Sequence, residues 1–151
     1  GCFGDVGRDP GARVISIAFS ALIRIDEYDV DLVERHGAHW FDYDQIPDLV
    51  LDHNYMVDLA LQKLRSKAKY QPLGFELLPQ KFTIPQLQIL YERIYQRPLD
   101  KRNFRRKILS MNILEKLDEK DKLHSKKGAY LYKFDHKKYQ SLKKKGILFE
   151  L

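Results

Sequence analysis

The sequence predicts an α+β chain in two parts, on three observations. Capped helical periodicity marks a pair of helices in the second half, starting after Thr83 and Asp100. Apolar β-branched and alternating stretches mark strands in both halves, at residues 13–25 and 129–134. Charge divides the chain as well: residues 1–80 carry 8 Lys and Arg against 13 Asp and Glu, a net of −5, whereas 81–151 carry 19 against 8, a net of +11. A strongly basic half beside an acidic one suggests a polyanion-binding module joined to a module with another task.

The 151 residues suffice for one medium domain or two small ones, and a hydrophobic content of 44% supports real cores. No apolar run approaches the roughly 20 residues that a membrane helix needs, so no membrane partner is expected. The opening GCFGDVGRDPG is no signal peptide, and with no initiator Met it reads as the start of a partial chain. A single cysteine, Cys2, excludes an internal disulfide and leaves no thiolate cluster for zinc. His36, His39, His124 and His136 show no ligand spacing, so no metal site is expected. These features together predict a cytoplasmic protein.

In order, residues 2–12 are a Gly-rich loop with a turn at Arg8-Asp9-Pro10-Gly11. Residues 13–25 are apolar on both alternating faces and read as a central strand covered on both sides. Residues 26–37 are acidic, with a helical turn suggested at 30–33, and 38–43 form a short strand holding the only tryptophan, Trp40, read as core. A helix of about fifteen residues runs to near Lys69, burying Val57, Ala60, Leu61, Leu64 and Ala68 and turning Lys63, Arg65 and Lys67 to water. Residues 70–81 are a connector too apolar for a free tether, with Leu73, Phe75, Leu77 and Leu78 packing along a surface.

The stretch 82–117 organises the rest. Thr83 caps a helix and Gln86 completes a capping box, while Pro85 is tolerated in the first turn. Leu87, Leu90, Tyr91, Ile94 and Tyr95 make its apolar stripe, and residues 96–99 break it. Asp100 caps a second helix from Lys101. At about 100° per residue, Phe104, Ile108 and Met111 fall together and pack inward. Arg102 and Arg106 point the other way, flanked by Arg105 and Leu109 on one side and by Asn103 and Ser110 on the other. Guanidiniums, an amide and a hydroxyl on one surface suit phosphate oxygens and base edges, although a solvated basic face is the simpler reading of such a helix taken alone. A strand at 113–117, a polar loop at 118–128 and a return strand at 129–134, with Tyr130, Tyr132 and Phe134 on one face, complete a winged helix with a lysine-rich tip. Lys137, Lys138 and Lys143, Lys144 and Lys145 read as a solvated tail or short helix.

The strings RDPGARVISIAFSALI, AHWFDYDQIPDLVLDH, PLGFELLPQKFTIPQLQILYERIYQRPLDKRNFRRKIL and GAYLYKF closely resemble the Nudix-related transcriptional regulator family of bacteria. The resemblance covers essentially the whole chain. It implies the C-terminal part of a Nudix-like α/β sandwich over 1–70, a linker over 71–81 and a winged-helix DNA-binding domain over 82–151. It also implies a regulator whose Nudix-like domain senses a nucleotide sugar or sugar, ADP-ribose-like or a pentose such as arabinose. The Nudix box, whose carboxylates hold Mg²⁺ against a pyrophosphate, is absent from these residues, so no cofactor is expected here and Mg²⁺ only if a box lies upstream. The alternative is a Nudix hydrolase of ADP-ribose-like pyrophosphates with a winged-helix appendage; a winged helix that binds protein is a third reading.

By the same resemblance Arg8, Asp9 and Arg13 face the effector cleft, with Asp52 and His53 closing another side. Turn chemistry and surface charge are the simpler reading of each singly, and His53 could equally cap the following helix. Arg102, Asn103 and Arg106 are the expected base-proximal residues. Lys101, Arg105, Lys107 and the wing lysines Lys120, Lys122, Lys126 and Lys127 are expected on phosphates of double-stranded DNA, bound by a homodimer. No catalytic arrangement is recognisable.

Overall fold

The computed structural model describes residues 1–24, 35–122, 128–146, 149 and 151. They form two compact units, Gly1–Gln62 and Lys63–Leu151.

In the first unit, β1 (Cys2–Phe3) pairs antiparallel with β2 (Ser16–Ile17), Cys2 opposite Ile17 and Phe3 opposite Ser16. Of the long central strand expected over 13–25, the described residues 13–24 hold only two residues of strand, and Ile15, Ile17 and Phe19 are 62, 67 and 92% exposed. A strand apolar on both faces needs neighbours on both edges and a layer on each face. Among the described residues of this unit only β1 pairs with it. The strand expected over 38–43 is likewise absent: Trp40 is exposed rather than core, and a 3-10 turn follows at Tyr43–Gln45. Of the expected sandwich, the described residues hold this small sheet and helix α1 (His53–Tyr70). The helical turn expected at 30–33 lies outside the described residues.

The first half of α1 follows its predicted stripe, with Val57, Ala60 and Leu61 half-buried. Its start is fixed by Asn54, whose Oδ1 accepts the Leu49 N–H at 2.7 Å, and Tyr55 meets the Phe3 ring edge-on at 6.1 Å. The second half of α1 belongs to the second unit, where Ala68 is buried. Arg65 does not turn to water there: its Nε donates to the Ile94 carbonyl at 3.2 Å, satisfying an acceptor near a helix end.

The second unit follows as a 3-10 turn at Phe75–Leu77, β3 (Phe82–Thr83), α2 (Ile84–Tyr95), α3 (Lys101–Ser110), β4 (Leu114–Asp121), β5 (Ala129–Phe134) and α4 (His136–Lys144). The sheet order is β3-β5-β4, antiparallel throughout. Thr83 pairs with Leu131 while its side chain caps α2, so one residue fastens the helix to the sheet. The capping box is formed: the Gln86 N–H donates to Thr83 Oγ1 and the Thr83 N–H to Gln86 Oε1, at 3.3 and 2.8 Å.

The core lies between these helices and the sheet. Phe82, Leu87, Tyr91 and Ile108 are fully buried, joined by Phe75, Ile84, Ile94, Phe104, Ile113, Tyr132 and Phe149. Each large apolar side chain so buried contributes on the order of 1.5–3 kcal/mol. Phe75 enters this core because Gly74 turns the chain with φ +80°, a left-handed conformation that favours glycine. A Cβ there would also stand 2.9 Å from Leu90 Cδ2. Leu73 and Leu78 pack on the same core, so the apolar connector is part of the unit it leads into. Burial pushes the Tyr91 phenol up, and its hydroxyl donates to the Leu73 carbonyl at 3.3 Å. Tyr95 Oη is buried without a hydrogen-bond partner among the described residues.

Two elements differ from expectation. β4 extends to Asp121, four residues beyond the predicted end, because a bulge lets its polar second half continue pairing with β5 outside the core. The C-terminal lysine run is the short helix of the two readings: Asp135 caps α4 by accepting the Lys138 N–H at 2.9 Å, and Tyr139 and Leu142 pack on the core.

Candidate nucleic-acid interface

Helix α3 is held at its start and from behind. At its start, Asp100 Oδ1 accepts the Asn103 N–H at 2.8 Å. Behind it, Phe104 and Ile108 are buried in the core, Phe104 with its ring 6.0 Å from that of Tyr91. The outward side then carries Lys101, Arg102, Asn103, Arg105, Arg106 and Lys107, all exposed. Arg106 Nη2 donates to Asn103 Oδ1 at 3.0 Å, so two of the three expected base-proximal side chains are joined on the helix surface. Leu109 is 37% exposed beside them, an apolar surface suited to a thymine methyl. Ser110 turns its hydroxyl back onto the Lys107 carbonyl at 2.8 Å, so it is spent on the helix itself.

The turn before α3 sets the angle at which it is presented. Gln96 ends α2 in the left-handed region, φ 52° and ψ 39°. Glu92 Oε1 accepts the Leu99 N–H at 2.9 Å, and Gln88 Nε2 donates both to Glu92 Oε1 and to the Leu99 carbonyl, at 2.9 and 3.0 Å. Gln88 is buried and both polar groups of Leu99 are thereby satisfied. Sequence reading missed this pair. Its signal was Gln88 itself, a polar residue one turn beyond Ile84 inside the apolar stripe.

The Leu99 N–H, and then Gln88, hold the Glu92 carboxyl below its ordinary value of 4.5. A carboxyl lowered on folding contributes stability that is present above the unfolded value and lost as pH falls through the lower folded value. Melting temperature is therefore expected to fall with pH below about 4.5 more gently in Glu92→Gln than in the native chain. Identical profiles would remove the carboxylate from the turn's energetics.

On the hairpin, Lys120 and Lys122 are exposed as expected, and Lys126 and Lys127 lie outside the described residues. One basic residue there escaped sequence reading: Lys116, whose ammonium sits 3.7 Å from the centre of the Tyr130 ring.

In the first unit the structure joins two of the five expected effector residues across 44 positions. Arg8 donates through Nε and Nη2 to both Asp52 oxygens, at 2.9 and 2.6 Å, and through Nη1 to Ser16 Oγ at 3.0 Å. The Arg8 hydrogen bonds hold the Asp52 carboxyl below the usual carboxylate range. Asp9 Oδ1 accepts the Gly11 N–H at 2.8 Å, closing the predicted turn. His53 starts α1 half-buried, and Arg13 is exposed. Among the described residues no group of three or more His, Cys, Asp or Glu could hold a metal ion, and no helix is long and apolar enough to cross a membrane.

A capped helix pair, a basic second helix backed by the core and a following hairpin on the same sheet define a winged helix. Residues 74–134 match the family of NrtR DNA-binding winged helix domains. The ADPR responsive transcriptional repressor NtrR of Acinetobacter baylyi is 31% identical over 133 residues, covering 87% of this chain and 53% of that protein. NrtR of Shewanella oneidensis complexed with a 27mer DNA has the same fold, with a TM-score of 0.71 at 23% identity over 92% of this chain and 64% of that one. Shewanella oneidensis NrtR in a second crystal structure gives 0.68 at 24% identity, over 88% and 61%. Residues 74–134 thus form a winged helix of the NrtR DNA-binding kind, and the chain as a whole is similar to Nudix-related transcriptional regulators. It spans about half the length of the curated relative it matches.

Proposed function

We propose that this chain is the DNA-binding portion, with part of the sensor, of a transcriptional regulator that answers to an ADP-ribose-like nucleotide. The observation that carries the reading is the division of α3: Phe104 and Ile108 anchor one side in the core, and five cationic side chains with Asn103 occupy the other. A helix so held enters a major groove as a rigid body, its arginine forks meeting guanine edges and its lysines the flanking phosphates. The name of the Acinetobacter relative supports repression answering to ADP-ribose. A pentose effector has no such support from the comparisons.

The first unit is the proposed sensor portion. Arg8 is committed to Asp52 and Ser16, which leaves Arg13, exposed and without a partner among the described residues, as the cation open to an effector phosphate. Two copies of the chain would present two α3 helices to the half-sites of a palindrome, and an effector would act only through unequal affinity for dimer geometries that do and do not bind DNA.

The test is binding of the full-length protein to duplex DNA from its own upstream region across a salt series, with and without ADP-ribose. With about six phosphates engaged, affinity falls on the order of a thousandfold between ~50 and ~200 mM salt. Binding that is weak and insensitive to salt would overturn the DNA reading, and binding indifferent to ADP-ribose would overturn the effector.

A further inference from the structure

We propose that Lys116, Tyr130 and Lys120 form a phosphate clamp on the hairpin, one aromatic ring holding two ammoniums for the same stretch of nucleic-acid backbone. The proposal rests on the DNA-binding reading above and adds to it a site built on the body of the wing.

The geometry begins with register. Lys116 stands opposite Tyr132 and Lys120 opposite Tyr130, so four residues of β4 span two of β5. Residues directly opposite one another share a face of the sheet, and so do alternate residues along a strand. Tyr132 is buried in the same core as Phe104 and Ile108 of α3, which places Lys116, Lys120 and Tyr130 on the helix-bearing face, just beyond the core. An unbroken ladder would have put Asp118, not a lysine, opposite Tyr130. The bulge replaces that carboxylate with the Lys120 ammonium and changes the sign of the charge at the ring.

Both ammoniums then meet one ring, Lys116 Nζ at 3.7 Å and Lys120 Nζ at 4.7 Å from its centre, while the ring itself is 38% exposed. The quadrupole of the ring attracts each cation, and the cations repel each other. Two other lysines of this unit do have carboxylate partners: Lys81 meets both oxygens of Glu119 at 2.7 Å, and Lys138 lies 3.6 Å from Asp135. Among the described residues no carboxylate is paired with Lys116 or Lys120. Glu115 stands opposite Lys133 on the other face, and Glu119 is taken by Lys81. Two held, like-charged donors with no internal counter-ion are complementary to a run of anions outside, and neighbouring phosphates of one backbone stretch accept one from each. The ring fixes the two long side chains in advance and so lowers the entropy lost on binding.

The experiment follows binding of the full-length protein to a labelled random-sequence duplex by fluorescence polarisation, across salt. Lys116→Gln and Lys120→Gln are each expected to reduce the steepness of log affinity against log salt by about 0.9, one phosphate apiece. Tyr130→Leu weakens binding several-fold with the steepness kept, because both charges remain but are no longer held. Tyr130→Phe, which keeps the ring, binds like the native chain and guards against a mere folding defect. If the native chain binds steeply and Lys116→Gln does so equally, or if Tyr130→Leu binds like the native chain, the clamp is overturned and the DNA reading stands. If the native chain shows no salt-dependent binding, both fall together.

Discussion

Ile108→Ala is expected to lower the unfolding free energy of the second unit by about 2–5 kcal/mol, and duplex binding falls with the folded fraction. Ile108 is fully buried on the inner side of α3, the helix whose outer side carries the arginines. Truncation removes apolar contacts with the core and leaves a cavity that a sheet and two helices cannot close without moving. Small domains hold only about 5–15 kcal/mol in all, so the loss is a large share. Urea denaturation measures it as a shifted midpoint at constant slope. Under stabilising conditions the folded fraction should still bind DNA, because no contacting side chain has changed. An unshifted midpoint would mean that α3 is not held by this face, and the rigid presentation of its arginines would lose its physical basis.

What sequence reading reached in this unit, and what it missed, divides by the range of the forces involved. The Thr83–Gln86 capping box, the Asp100 cap and the inward Phe104 and Ile108 each depend on residues within about a turn of one another, and all are formed. The Lys116–Tyr130–Lys120 group depends on a bulge, which local pattern does not encode: an unbroken ladder from the Lys116–Tyr132 pair would set Asp118 opposite Tyr130. Gln88 and Glu92 were hidden for a related reason, since the Leu99 backbone groups they satisfy are brought near only when the turn closes. In the first unit the failure runs the other way. Residues 13–25 have the composition of a covered strand, but strand formation is decided by partners, and the described residues supply one two-residue neighbour. Trp40 was read as core on residue type alone and stands exposed. Arg8 and Asp52 were named through resemblance as two sides of one cleft, and the structure ties them directly to each other.

Arg106→Ala is expected to weaken binding to the specific operator by about ten- to a hundredfold, the 1–3 kcal/mol of a bidentate base contact, and binding to random DNA by much less. The asymmetry follows from what the side chain can do in each complex. On random DNA it is one cation among many, and its loss costs one phosphate contact. On the operator its fork matches the two acceptors of a guanine edge, and in the free protein Asn103 already holds one arm of that fork at 3.0 Å. Arg106→Lys separates the two roles, since it keeps the charge and loses the fork: random-DNA affinity should recover while operator affinity does not. Because Asn103 loses its partner in either variant, Arg106→Ala and Asn103→Ala should be less than additive on the operator, with a coupling on the order of 0.5–3 kcal/mol. Stability should change by no more than about 0.5 kcal/mol, Arg106 being exposed. Equal losses on both sequences would reduce Arg106 to a phosphate contact and move base reading to Arg102 or Arg105, on the same exposed side of the helix.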